Sequence, residues 1–226
     1  MAFFEGNRGR MHYRRWETSG TRAAMLLLPG LGQHSAHYHR FARHLVAAGI
    51  ELWALDTHGH GLSEGEPEVQ GTLHDYVSDA LLFRSIAEEH LLGIPMIWMG
   101  HSLGAITWMG VLGAAVPPDA TSQPPAALHG EYPLRAAIDA DSVAGLVLSG
   151  APPRALGGGT AESPETRLPK SLPTMLLHGS EDRIAPIAPA RAWAERHPWV
   201  DFHEYPDTGH DLLHEPTHQQ VSADIV

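Results

Sequence analysis

Short, almost wholly apolar runs recur along the chain, separated by stretches in which apolar and polar residues mix at helical spacing. Ala23–Leu28, Ile50–Leu55 and the segments 95–99, 143–149 and 174–178 are runs of this kind, each with Gly, Pro or Asp at one or both ends. Runs of that length and character suit strands covered on both faces, as in a parallel sheet. Segment 11–16 (MHYRRW) alternates and predicts an outer strand; Val200–Tyr205 is the last strand candidate. Between them lie helix candidates. Segment 36–48 carries Phe41, Leu45 and Ala48, and 73–92 carries Tyr76, Val77, Ala80, Leu81, Ile86 and Leu91 ahead of Gly93 and Pro95. The uncharged run 103–116 is too short to span a bilayer and reads as a buried helix. Segment 187–197 tolerates Pro189 only in its first turn and stops at Pro198. Segment 211–226 reads as the start of a closing helix. Strands and helices alternate, which predicts one α/β domain over 1–226 with a mostly parallel sheet flanked by helices.

Two segments break the alternation. The first, 117–141, holds Pro117, Pro118, Pro124, Pro125 and Pro133, and reads as an excursion able to form a partial lid. The second, 151–172, contains Gly157, Gly158 and Gly159 and almost no apolar face, and reads as a short linker.

Composition narrows the function. The 226 residues are 43% apolar, enough for a sizeable core. Fifteen Lys and Arg stand against 26 Asp and Glu, a net charge of −11 with no basic run, which disfavours a nucleic-acid partner. The absence of cysteine excludes disulfides, thiolate metal sites and cysteine nucleophiles. The first ten residues lack a basic start followed by an apolar stretch, so no signal peptide is read and a cytoplasmic location is expected. No transmembrane segment is expected, and composition leaves the oligomeric state open.

The chemistry concentrates at Gly100-His101-Ser102-Leu103-Gly104, a G-x-S-x-G pattern. It follows a strand candidate directly and opens a helix candidate, so Ser102 is expected on a tight strand-to-helix turn as a nucleophile. The plain alternative is a serine that only caps the helix. A serine hydroxyl needs a base, and the base needs a carboxylate to orient it. In this setting the order is Ser, acid, His. The loop after 174–178 offers Glu181 and Asp182; the loop after Val200–Tyr205 offers Asp207, His210 and Asp211. His210 is chosen as base over His214, which is expected in a helix. Asp182 is chosen as acid; Glu181, Asp207 and Asp211 read more simply as solvated loop charges or caps. One oxyanion donor should be the N–H of Leu103, and the other should come from the loop after Ala23–Leu28.

The ordered motifs together resemble the α/β-hydrolases of the monoacylglycerol lipase and lysophospholipase group, the broad serine aminopeptidase-like hydrolases. The resemblance runs from about Met11 to His214. It rests on the 11–16 strand, Pro29-Gly30-Leu31-Gly32-Gln33-His34-Ser35, Asp56-Thr57-His58-Gly59-His60-Gly61-Leu62-Ser63-Glu64-Gly65, Gly100–Gly104, His178-Gly179-Ser180-Glu181-Asp182 and Gly209-His210. It implies a cofactor-independent serine esterase acting on a small-molecule ester such as a monoacylglycerol, a lysophospholipid or a shorter soluble ester. The implied triad is Ser102, Asp182 and His210, with Leu31 as the second oxyanion donor and Gly30, His34, Gly100, His101 and Gly104 in support. Amidase, peptidase or acyltransferase chemistry on the same triad is the alternative, and a catalytically silent binding protein is a further one. The chain departs from the group at Pro29, where a histidine is usual, and at His58, where arginine is usual. The first swap is expected to alter the oxyanion loop. The 151–172 linker stands where relatives insert a helical cap, which implies an open site.

Seventeen histidines raise the question of a metal. His34, His37 and His39 lie close together, but no carboxylate or cysteine accompanies them at a ligand spacing, so no metal is expected. His34 lies in the oxyanion loop as a candidate pocket-lining residue. The histidines without an assigned role are expected to face solvent. Trp53, Trp98 and Trp108 read as core, and Gly59 and Gly61 as a tight turn.

Overall fold

A computed structural model describes residues 2–113, 143–156 and 168–226. Eight strands form one sheet: β1 (Ala2–Gly6), β2 (Gly9–Trp16), β3 (Ala23–Leu28), β4 (Ile50–Leu55), β5 (Met96–His101), β6 (Gly145–Ser149), β7 (Thr174–Gly179) and β8 (Val200–Tyr205). The spatial order is β1-β2-β4-β3-β5-β6-β7-β8. β1 and β2 pair antiparallel, as do β2 and β4; every other pair is parallel.

The apolar runs become strands because both faces of the sheet are covered. Along β3, Ala24, Leu26 and Leu28 enter one core cluster while Met25 and Leu27 enter the other. One face is covered by α2 (Leu73–His90), α3 (Leu103–Val111) and α4 (Ile187–Arg196), which contribute Phe83, Trp108 and Trp193. The other is covered by α1 (His39–Ala47) and α5 (His218–Ile225), through Phe41, Leu45 and Val221. Trp53, Trp98 and Trp108 are fully buried, and the Trp98 and Trp108 rings stack at 4.3 Å. α2 starts at Thr72, whose hydroxyl accepts from the Asp75 amide while the Asp75 carboxylate accepts from the Thr72 amide, a reciprocal cap.

Several expectations change. Segment 11–16 is part of β2, which lies inside the sheet, because β1 adds an outer strand that the short Ala2–Gly6 segment did not announce. Only His218–Ile225 of the closing segment is helical; His214 lies in the turn before it. The 151–172 segment is less polar in its packing than in its composition. Its ends bury Ala155, Leu156, Leu168 and Leu172 in the core beneath α3 and α4. Its centre and the whole 117–141 excursion fall outside the described residues. Among the described residues, no helix is long and apolar enough to cross a membrane.

Candidate active site

The strand register brings the chemistry to one end of the sheet. β5, β7 and β8 run parallel within it, so the loops at their C-terminal ends open on the same side.

Ser102 occupies the turn from β5 into α3 at φ 50°, ψ −107°, a left-handed conformation that a serine adopts only under constraint. The constraint is visible. Its amide donates to the Ser149 carbonyl of β6 at 2.9 Å, and its carbonyl accepts from Ile106 at 3.2 Å as α3 begins. Gly104 lets α3 press against β3, where a Cβ would overlap the Leu28 carbonyl. Ser102 stands at the N-cap position but makes no side-chain cap bond, so the capping alternative does not describe it.

Asp182 and His210 come together because their loops are tied to each other. Beyond the last β7–β8 pair, Gly179 with Tyr205, the Ser180 amide donates to Tyr205 and the Glu181 amide to Thr208, both at 2.9 Å. The Asp207 amide donates to the Ser180 hydroxyl at 3.0 Å. At Gly179 a Cβ would overlap the Thr208 and Gly209 carbonyls, so glycine permits this approach. The result is a 2.7 Å bond between His210 Nδ1 and Asp182 Oδ2. Asp182 Oδ1 accepts from the Ile184 and Ala185 amides at 2.9 and 2.8 Å. Burial pushes the Asp182 carboxyl up, but the bonds from His210 and these amides outweigh it and hold it below the usual carboxylate range. The Asp182 side chain is wholly shielded from solvent while His210 keeps 10% exposure, so the carboxylate is fixed and the imidazole is reachable.

Loop 206–211 is held by Glu215, just beyond it in the chain. Glu215 Oε2 accepts from the Gly209 amide at 2.7 Å and its Oε1 from the Asp211 amide at 3.2 Å, one bond on each side of His210. Gly150, following β6, presses on both neighbouring rings. A Cβ there would meet His210 at 3.1 Å and His101 at 3.2 Å. A Cβ on Gly30 would in turn meet Ser102 Cβ at 3.3 Å. The loop after β3, the Ser102 turn and loop 206–211 are thus contiguous.

The loop carrying Leu31 follows β3, and Leu103 opens α3 directly after Ser102. Pro29 supplies no amide donor to this loop, and other residues anchor it. The Gln33 amide closes a turn on the Gly30 carbonyl at 3.1 Å. The Gly32 amide donates to His60 Nε2 at 2.9 Å, and His60 Nδ1 donates to the His58 carbonyl at 2.8 Å. His34 is half-buried, its ring 3.9 Å from that of His37. Among the described residues, no group of three or more His, Asp or Glu is placed to hold a metal ion.

The unassigned histidines are not all solvent-facing: His12, His58, His60 and His178 are buried. His12 Nδ1 meets Asp56 Oδ2 at 2.8 Å and supports the turn through Gly59 and Gly61. His178 donates from Nε2 to the Ala185 carbonyl at 2.6 Å and lies 3.4 Å from Asp182 Oδ2. Burial lowers its pKa, which favours the neutral imidazole. Asp211 is not a free loop charge, because it meets Gln33 and His101. The sequence signal for both residues was only their place beside a triad candidate.

Residues 19–122 match the family model for serine aminopeptidase, S33. A monoacylglycerol lipase from Mycolicibacterium smegmatis is 28% identical over 90% of this chain and 86% of its own length. Human monoglyceride lipase is 36% identical over 40% of this chain and 30% of its own length. Among solved structures, a carboxyl esterase from Bacillus coagulans superposes with a TM-score of 0.72 at 14% identity, over 99% of this chain and 95% of that one. The monoacylglycerol lipase from Paleococcus ferrophilus superposes with a TM-score of 0.64 at 19% identity, over 95% and 96%. The chain has the α/β-hydrolase fold and is similar in sequence to monoacylglycerol lipases. In this fold the sheet order, the strained serine turn and the His–Asp pair on adjoining loops are parts of one arrangement.

Proposed function

We propose that this α/β-hydrolase is a serine hydrolase of carboxylic esters working through an acyl-enzyme. The observation that carries the reading is the pairing of a strained, uncapped Ser102 turn with a His210–Asp182 bond of 2.7 Å on adjacent strand ends. His210 Nδ1 is occupied by Asp182, so Nε2 is the nitrogen that takes the Ser102 proton as Oγ attacks the ester carbonyl. The amides of Leu31 and Leu103 receive the oxyanion. His210 returns the proton to the leaving alcohol, then activates water to release the acid. Asp182 stays ionised and holds the imidazole in one tautomer. The substrate is a small-molecule ester, with monoacylglycerols, lysophospholipids and shorter soluble esters as the range to screen.

The test is Ser102→Ala against wild type on a p-nitrophenyl ester, with fluorophosphonate labelling of both. A loss in kcat on the order of 10⁶-fold and loss of labelling are expected, from the cost of removing the serine in another serine hydrolase, subtilisin. Near-full esterase activity in the variant would overturn the assignment of Ser102. An unlabelled, inactive but folded wild type would favour the silent binding reading.

A further inference from the structure

Asp211 lies directly after the proposed base, and no triad role uses it. Its Oδ1 accepts from Gln33 Nε2 at 2.7 Å and meets His101 Nε2 at 3.2 Å. Gln33 belongs to the oxyanion loop and His101 immediately precedes Ser102. One carboxylate oxygen therefore joins three chain segments that have to keep their spacing during acyl transfer. The chain of bonds continues at both ends. Gln33 Oε1 accepts from the buried Tyr38 hydroxyl and lies 3.4 Å from the Gly30 amide. His101 Nδ1 lies 3.3 Å from the Ser149 hydroxyl on β6.

We propose that Asp211 is a positioning residue, fixing the oxyanion loop against the nucleophile turn through Gln33 and His101. The inference rests on the ester-hydrolase reading of the site. An ionised carboxylate only accepts, so both neighbours must donate to it. That sets the Gln33 amide with nitrogen toward Asp211 and oxygen toward Tyr38 and Gly30. It also sets His101 as the Nε2–H tautomer, leaving Nδ1 to accept from Ser149. The polarity of the five side chains in this network follows from its one charged member. Burial lowers the His101 pKa despite Asp211 beside it, consistent with a neutral ring. The half-exposed Asp211 remains below the usual carboxylate range, chiefly through the His101 bond. Pro29 has neither a side-chain donor nor an N–H, and Gln33 holds Gly30 through both its backbone amide and its side-chain oxygen.

The test compares Gln33→Met, Asp211→Leu, Asp211→Asn and the double variant Gln33→Met/Asp211→Leu. It reads amide hydrogen exchange across residues 30–33, kcat and KM on a soluble p-nitrophenyl ester, and Tm. Gln33→Met and Asp211→Leu are each expected to speed exchange at 30–33 about tenfold. They should lower kcat about 10- to 100-fold while KM stays within about threefold, as misplacement of groups used only in the transition state requires. Asp211→Asn retains an acceptor oxygen and should stay within about threefold of wild type. The double variant should be no worse than Asp211→Leu alone. Unchanged exchange at 30–33 in both single variants, or losses that multiply in the double, would overturn the proposal. If Asp211→Leu does not fold, exchange at 30–33 in Gln33→Met decides: faster exchange supports the brace and unchanged exchange overturns it. Ser102→Ala separates the two readings: Ser102-independent esterase activity defeats the hydrolase assignment, while exchange at 30–33 still judges the brace.

Discussion

Asp182 divides its two oxygens between two tasks: Oδ2 holds His210 at 2.7 Å, and Oδ1 takes the amides of Ile184 and Ala185. The carboxylate is thus anchored to its own loop by one oxygen and, in the proposed triad, orients His210 with the other. Asp182→Asn keeps the shape but allows the wrong imidazole tautomer. A fall in kcat on the order of 10⁴-fold is expected, with little change in KM. Steady-state kinetics on a soluble ester checks it.

The same bonds make Asp182 a source of pH-dependent stability. Its folded pKa lies below the ordinary value, so it stabilises the fold above about pH 4 and loses that contribution as pH falls through the folded value. The gap in unfolding free energy between wild type and Asp182→Asn should shrink below about pH 4 in urea titrations. A gap that widens on acidification would contradict the assignment.

Asp79 has the opposite sign. It is buried on α2 and accepts from the Asn7 amide at the β1–β2 turn at 2.6 Å. Burial raises its pKa to about 6, so the folded protein holds the proton more tightly than the unfolded chain does. Stability from this group therefore falls as pH rises from about 4 to 6. Asp79→Asn, which keeps an acceptor for Asn7, should stabilise the protein by about 1–3 kcal/mol above pH 7 and leave it unchanged near pH 3. Chemical denaturation at the two pH values tests the sign.

Glu215 clamps the amides on either side of His210. Glu215→Ala frees loop 206–211 at both points. A 10- to 100-fold drop in kcat is expected, roughly what an ångström of misplacement costs. Hydrogen exchange at Gly209 and Asp211 should rise with it; a drop in kcat without that rise would point to another cause.

Ester chain length tests the reading of an open site. If the 151–172 segment stands in place of a cap, fewer apolar walls remain to bury an acyl chain at about 0.8 kcal/mol per CH₂. Across p-nitrophenyl esters, kcat/KM should peak on short acyl chains. A peak on the longest members would sink the open-site reading.

The sheet is legible in the sequence because its strands are buried on both faces, which leaves continuous apolar runs such as Ala23–Leu28. The nucleophile turn is legible for a steric reason: close packing demands glycine at Gly104, and that demand is written into the motif. β1 is not, since five residues with alternating burial carry little signal without their partner strand. Burial of His60 and His178 is equally hidden, because their partners are backbone groups supplied by other turns. Asp211 looks like a solvated charge in the sequence because its partners, Gln33 and His101, are distant along the chain. No local pattern marks a carboxylate that joins three loops.

The order of strands across the sheet has a practical consequence. The β1–β2 hairpin forms one margin, while Ser102, Asp182 and His210 follow strands β5, β7 and β8 toward the other. A tether or reporter attached at Ala2 would hang from the margin opposite β8. Immobilisation through that end should present the reactive mouth outward and leave turnover intact. Attachment beyond α5 would instead load the helix that packs against α1 beside loop 206–211, and should be the orientation that slows the enzyme.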